Sequence, residues 1–242
     1  MGNRRSYIIN EIVKYSQQLA QKGFTANHDG NISARIDDLL LATPTAVSKR
    51  DITAEIILTL DQRGNKVVGI GKPFSEIKLH LAAYHKRADI NAVVHAHPPF
   101  ATARGLLNLP LKPAIPEAIV SLGDIVPVVV FAMPGDKEND VIIAGALTAV
   151  DVFMLPGNGV LAVGDCVEQA YLRLELVEHL AKIDYYARSM GTPMELTSGN
   201  INNLMQKRNT IGLGSKADTQ ERRIKQLIAE ELEKIRQKRL QN

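Results

Sequence analysis

Ala92-Val93-Val94-His95-Ala96-His97-Pro98-Pro99 ends a β-branched apolar run with two histidines two positions apart. In an extended chain, residues i and i+2 point to the same side, so both imidazoles face one region beside a strand end. This is the spacing a metal site uses, and zinc in particular takes imidazole nitrogen. Two ligands do not make a site, so the reading turns on what else the chain brings here.

Around this strand the segments alternate. Ile9, Ile12, Val13, Ser16, Leu19 and Ala20 draw an apolar stripe that stops at Gly23, which predicts a first helix. A turn-rich stretch, Asn27-His28-Asp29-Gly30-Asn31, precedes expected strands at 39–43, 56–61 and 66–68, the last two joined by a Gly64-Asn65 turn. Ser75 and Glu76 open a helix that carries Leu79, His80, Ala82 and Ala83. Further strands are expected at 126–131, 152–155 and 160–163, then a long helix over 167–190. Strands alternating with helices give an α/β class with a mixed sheet.

Composition sets the limits. The chain has 242 residues, 45% hydrophobic and 23% charged, ordinary for one globular domain with an added terminal element. Its longest apolar run, Ile125 to Met133, contains Pro127 and is too short to span a bilayer, so no membrane passage is expected. A lone cysteine, Cys166, forms no internal disulfide, and the N-terminus carries no apolar core with a cleavage site, which points to the cytoplasm. The net charge of +3 equals the excess of eight Lys and Arg over five Asp and Glu in residues 216–242. There Ile224, Leu227, Ile228, Leu232 and Ile235 predict an amphipathic helix with a charged outer face, a docking element rather than a nucleic-acid surface. The division expected is 1–200 for the main domain and 201–242 for a C-terminal extension.

Glu76 begins the helix just ahead of the histidine strand, so it can return to the same end of the sheet. A carboxylate at a helix N-terminus also suits the macrodipole, which makes capping its ordinary explanation. With His95 and His97 it forms a set of two histidines and one carboxylate, which suits several divalent metals and leaves positions open for substrate.

Five stretches together resemble a known family: Gly30-Asn31-Ile32-Ser33-Ala34-Arg35, Thr43-Pro44-Thr45, Lys72-Pro73-Phe74-Ser75-Glu76, the run from Ala92 to Ala103, and Gly159-Val160-Leu161-Ala162-Val163-Gly164. In order and spacing, from about residue 7 to 190, the chain is similar to the class II sugar-phosphate aldolase and adducin family, which includes fuculose-phosphate aldolase and ribulose-phosphate 4-epimerase. The resemblance implies a three-layer α/β/α sandwich around a central mixed sheet. It also implies a homotetramer with sites at subunit interfaces and a divalent metal, usually zinc, in each. It makes His95 and His97 metal ligands, and makes Glu76 both a ligand of the resting metal and the group that moves a proton. Asn31, Thr45 and Ser75 correspond to the pocket for a substrate phosphate.

Four positions in three regions depart from the family pattern. Pro156-Gly157-Asn158-Gly159 places Asn158 where the third imidazole ligand is expected, and an amide oxygen is a poor ligand for zinc. Ala46 follows Thr45 where a glycine commonly admits phosphate, and Phe74 replaces a second serine. Pro116-Glu117 stands where an aromatic hydroxyl from a neighbouring subunit is expected, which makes Glu117 a catalytic candidate. The remaining histidines, His80, His85 and His179, read as core or surface residues, and His28 lies beside the phosphate loop. The implied function is a metal-dependent lyase, of the aldolase type, or an epimerase acting on a small phosphorylated ketose. The alternative is a non-catalytic oligomeric scaffold like the adducin head; a converging charged and imidazole set with its desolvation cost favours the enzyme.

Overall fold

The computed structural model describes residues 2–131 and 137–213. Seven strands, β1 (Asn31–Ile36), β2 (Leu39–Ala42), β3 (Leu58–Leu60), β4 (Lys66–Val68), β5 (Ala92–Ala96), β6 (Val152–Met154) and β7 (Val160–Gly164), form one sheet in the order β4-β3-β2-β1-β5-β7-β6. Its ladders are antiparallel. The one parallel pairing among the described residues is the isolated bridge Val128–Met154 at the β6 edge, outside the named strands.

Period-two alternation sorts each strand between two cores. Ile32, Ala34, Val94, Ala96, Val160 and Ala162 pack with Ile12 and Leu19 of α1 (Gly2–Gln21) and with Tyr171, Leu174 and Val177 of α6 (Val167–Met190). On the other face Leu40, Leu60, Val93, Leu161 and Val163 pack with Leu79 and Ala83 of α2 (Ile77–Lys86) and Ile143 of α5 (Lys137–Ala146). The result is the expected α/β/α sandwich. β5 and β7 are buried along their whole length, which is why both read as unbroken apolar runs rather than as alternations.

Most expected elements stand where their patterns put them, and α6 keeps the expected bounds. The strand expected over 126–131 is a correction: only bridges from Val126 and Val128 form, because Pro127 has no N–H and contributes its carbonyl alone, to Met154. The strand expected over 56–61 narrows to β3 behind a 3₁₀ turn at Ala54–Ile56. β1 itself, α3 (Pro99–Leu106), α4 (Pro116–Leu122), α5 and α7 (Ser198–Thr210) were not among the expected elements. The amphipathic pattern from Ile224 to Ile235 lies outside the described residues. Among the described residues no helix is long and apolar enough to cross a membrane.

Two polar anchors tie helices to this body. Asp151, buried, meets Arg87, Arg173 and Arg208, and Arg208 also donates to the carbonyls of Val120 and Ser121, so α7 is held against α4 and the sheet edge. The expected boundary at residues 200 and 201 falls inside α7. Glu178 of α6, also buried, accepts the N–H groups of Phe100 and Ala101, fixing the chain just after His97.

Candidate active site

The register of β1 against β5 sets the Cα of Asn31 opposite that of His95 and the Cα of Ser33 opposite that of Val93. Alternation then turns Asn31, Ser33 and His95 to the face covered by α2. Glu76 precedes the first residue of α2, yet its side chain makes no capping hydrogen bond. It faces the sheet instead: Oε2 lies 3.4 Å from His95 Nε2 and accepts Asn31 Nδ2–H at 3.0 Å, while Oε1 accepts Asn158 Nδ2–H at 2.7 Å. Burial alone would raise the carboxyl, but the His95 ring and the two amide donors outweigh it and hold Glu76 below the usual carboxylate range.

The histidines are oriented by their outer nitrogens. His95 Nδ1 lies 3.0 Å from the Val160 carbonyl and His97 Nδ1 lies 3.0 Å from Asp29 Oδ2; both partners only accept, so both Nδ1 atoms carry hydrogen. Their Nε2 atoms then face each other across 3.3 Å. Burial, and next the His95 ring, lower the pKa of His97 and keep it neutral. An imidazole held through its other nitrogen by a carbonyl or carboxylate is the usual arrangement of a metal ligand. The donor set therefore fits a divalent metal on the side of Glu76. Among the described residues no group of three or more His, Cys, Asp or Glu side chains is placed so that together they could hold a metal ion, and the Asn158 amide bonds the Glu76 carboxylate instead.

Asn158 sits in the turn between β6 and β7, where its N–H bonds the Leu155 carbonyl. Gly159 follows with φ +70°, pressed against the end of β5. Thr45 and Ser75 are exposed on neighbouring segments joined through the Pro44–Pro73 bridge, while Asn31 is buried with its Oδ1 engaged by His80. Ala46 adopts φ +58°, the left-handed backbone that glycine enters more freely. Glu117 is exposed on α4 and makes none of the hydrogen bonds that assemble the cluster within one chain. His28, His85 and His179 are exposed.

Asp29, Lys49 and His80 belong to the site although sequence reasoning did not place them there. Lys49 is buried, its pKa lowered to about 8 by burial, and donates to the Val47 and His28 carbonyls, tying the Asp29 loop to the Thr45 loop. For His80 the signal was available: Glu76 and His80 are four residues apart on one helix and share a face.

The model of the class II aldolase and adducin N-terminal domain matches residues 10–185. An L-fuculose phosphate aldolase of Methanococcus maripaludis is 31% identical over 182 residues, 75% of this chain and 98% of that one. A 5-deoxy-D-ribulose 1-phosphate aldolase of Bacillus thuringiensis is 32% identical over 200 residues, 81% of this chain and 93% of that one. A solved L-fuculose 1-phosphate aldolase superposes with a TM-score of 0.77 at 31% identity, covering 84% of this chain and 96% of its own. By this match over most of its length and by these relatives, the chain belongs to the class II aldolase and adducin N-terminal domain family.

Proposed function

We propose that the protein is a metal-dependent lyase that cleaves a carbon–carbon bond in a small phosphorylated ketose. What carries this reading is the pair of opposed imidazole Nε2 atoms beside the Glu76 carboxylate at the end of β5. His95 and His97 would hold the metal, with Glu76 completing the resting site. When bound, a divalent cation, with zinc the expected one, supplies a Lewis acid for the ketose carbonyl and hydroxyl oxygens.

Glu76 would take the hydroxyl proton at the carbon that leaves as aldehyde onto Oε2. The electron pair of the broken carbon–carbon bond moves toward the carbonyl, and the proton returns to the remaining carbon, giving a hydroxyketone phosphate and an aldehyde. Asn31 anchors that carboxylate and keeps a second amide hydrogen for the substrate, while the exposed Thr45 and Ser75 hydroxyls offer donors to its phosphate. Glu117 would act from the neighbouring subunit as a further proton donor. That last role requires assembly: the expected state is a homotetramer, and light scattering at micromolar concentration reads it directly. A monomer would contradict both the assembly and the shared site. The segment 201–242 is read as an extension of the aldolase-like unit.

Metal content tests the core of the proposal. Protein purified without chelators should carry divalent metal near one per chain, and His95→Ala with His97→Ala should carry about a tenth or less. Equal, near-zero metal in both would refute it. Asn158 in place of an imidazole is the observation that favours the scaffold reading, and a metal-free wild type with the tetramer intact is what that reading expects.

A further inference from the structure

A line of buried polar groups leads away from Glu76 into the α2 layer. Asn31 Oδ1 lies 2.7 Å from His80 Nε2, His80 Nδ1 lies 2.7 Å from Ser33 Oγ, and Ser33 Oγ lies 2.8 Å from the Tyr84 hydroxyl. His80 and Ser33 are fully buried, and Asn31 and Tyr84 nearly so. Helix and strand periods assemble the line: Glu76, His80 and Tyr84 recur every four residues along α2, and Asn31 and Ser33 are two apart on β1.

Each bond admits one direction. Glu76 is an ionised acceptor, so Asn31 must turn its nitrogen to it and its oxygen to His80. His80 Nε2 must then carry the ring hydrogen. Burial lowers the pKa of His80 to about 3, so the ring stays neutral and Nδ1 keeps a lone pair. Ser33 donates to that lone pair, and Tyr84 donates to Ser33. Reversing any link would set Asn31 oxygen against the Glu76 carboxylate.

We infer that His80 is a positioning residue: through the one-way chain Tyr84, Ser33, His80, Asn31 it locks the Asn31 amide nitrogen onto Glu76 and fixes where that carboxylate stands against His95. The consequence for catalysis rests on Glu76 being the working carboxylate, as proposed above; the direction of the chain does not.

Nitrogen-15 NMR of histidine-labelled, metal-free protein reads the chain without any assay of activity. The expected wild-type spectrum holds one ring with its hydrogen on Nε2, unchanged from about pH 5 to 8, the range in which ordinary imidazoles titrate; His80→Gln removes that signal and assigns it. The Asn31 side-chain amide should show one downfield, slowly exchanging hydrogen, lost in His80→Leu and kept in His80→Gln, whose amide can donate to Asn31 and accept from Ser33. Zinc affinity should fall about tenfold in His80→Leu and recover to within about threefold in His80→Gln, the scale of losing support behind a ligand. A His80 ring with its hydrogen on Nδ1 overturns the inference, as does a folded His80→Leu whose Asn31 amide and zinc affinity match wild type. Should His80→Leu not fold, the wild-type tautomer still decides. A wild type that binds no zinc refutes the functional reading alone.

Discussion

Gly159→Ala is expected to cost about 2–4 kcal/mol of stability, the sum of left-handed backbone strain and overpacking, and to release His97 from the site. Gly159 has φ +70°, and a Cβ built on it would stand 2.2 Å from the Ala96 carbonyl oxygen and 2.5 Å from His97 Cδ2. The first neighbour is main chain in the ladder, where Ala96 pairs with Val160, so it cannot turn aside as a flexible side chain would. The second is the ring of a proposed ligand. Relief must come from moving the 156–159 turn, which draws Asn158 off Glu76, or from moving the end of β5, which shifts His97 away from His95. Gly157→Ala is the control: it shares the backbone strain at φ +68°, but its Cβ would meet only Leu106 Cδ2 at an ordinary 3.8 Å. Chemical denaturation should place it about 1 kcal/mol below wild type, with its metal content intact. Equal losses of stability and metal in the two variants would mean that the contact with β5 is not what makes Gly159 necessary.

The same turn shows what sequence can and cannot display. β5 was legible because full burial writes itself as an unbroken apolar run, α2 because one-sided burial writes itself as periodicity, and Glu76, His95 and His97 because chemistry-bearing side chains at strand and helix ends interrupt these patterns. β1 was hidden by its buried polar positions. In Asn31-Ile32-Ser33-Ala34-Arg35 the polar positions alternate as a solvated face would, yet Asn31 and Ser33 are buried against α2 and hydrogen-bonded there. Polar residues inside a core read as surface until their partners are known. His80 fell to the same ambiguity, since an imidazole among Leu79, Ala82 and Ala83 looks like packing. Asp29 and Lys49 could be placed only by the loops that carry them, because no period governs how irregular chain brings Asp29 Oδ2 to His97 or Lys49 Nζ to the His28 carbonyl. Glu117 marks a different limit: its proposed role belongs to an assembly, and neither one chain's sequence pattern nor one chain's contacts contain the second subunit.

Asn158→His should raise zinc affinity by tens-fold or more. The asparagine already points where a ligand would: its Nδ2 lies 2.7 Å from Glu76 Oε1, while Glu76 Oε2 lies 3.4 Å from His95 Nε2, and His95 and His97 oppose their Nε2 atoms at 3.3 Å. Gly157 and Gly159 flank it, and its main-chain bond to Leu155 does not depend on the side chain, so an imidazole can replace the amide with little change of backbone. Two effects then act in one direction. A third imidazole beside two and a carboxylate completes the four-coordinate geometry zinc prefers. Removing the Asn158 donor also frees Glu76 Oε1 from a hydrogen bond that competes with coordination, while Asn31 still steadies Oε2. The wild type is accordingly expected to be the weaker binder, its Asn158 amide engaged with Glu76. Competition against a chelator, run on wild type, Asn158→His and Asn158→His with His95→Ala, measures this. The gain should appear in the single variant and vanish when His95 is removed, because the new ring adds to a site that His95 anchors. Equal affinities in wild type and Asn158→His would mean that metal does not sit between His95, His97 and Glu76, and that the Asn158 amide holds a carboxylate whose work is structural.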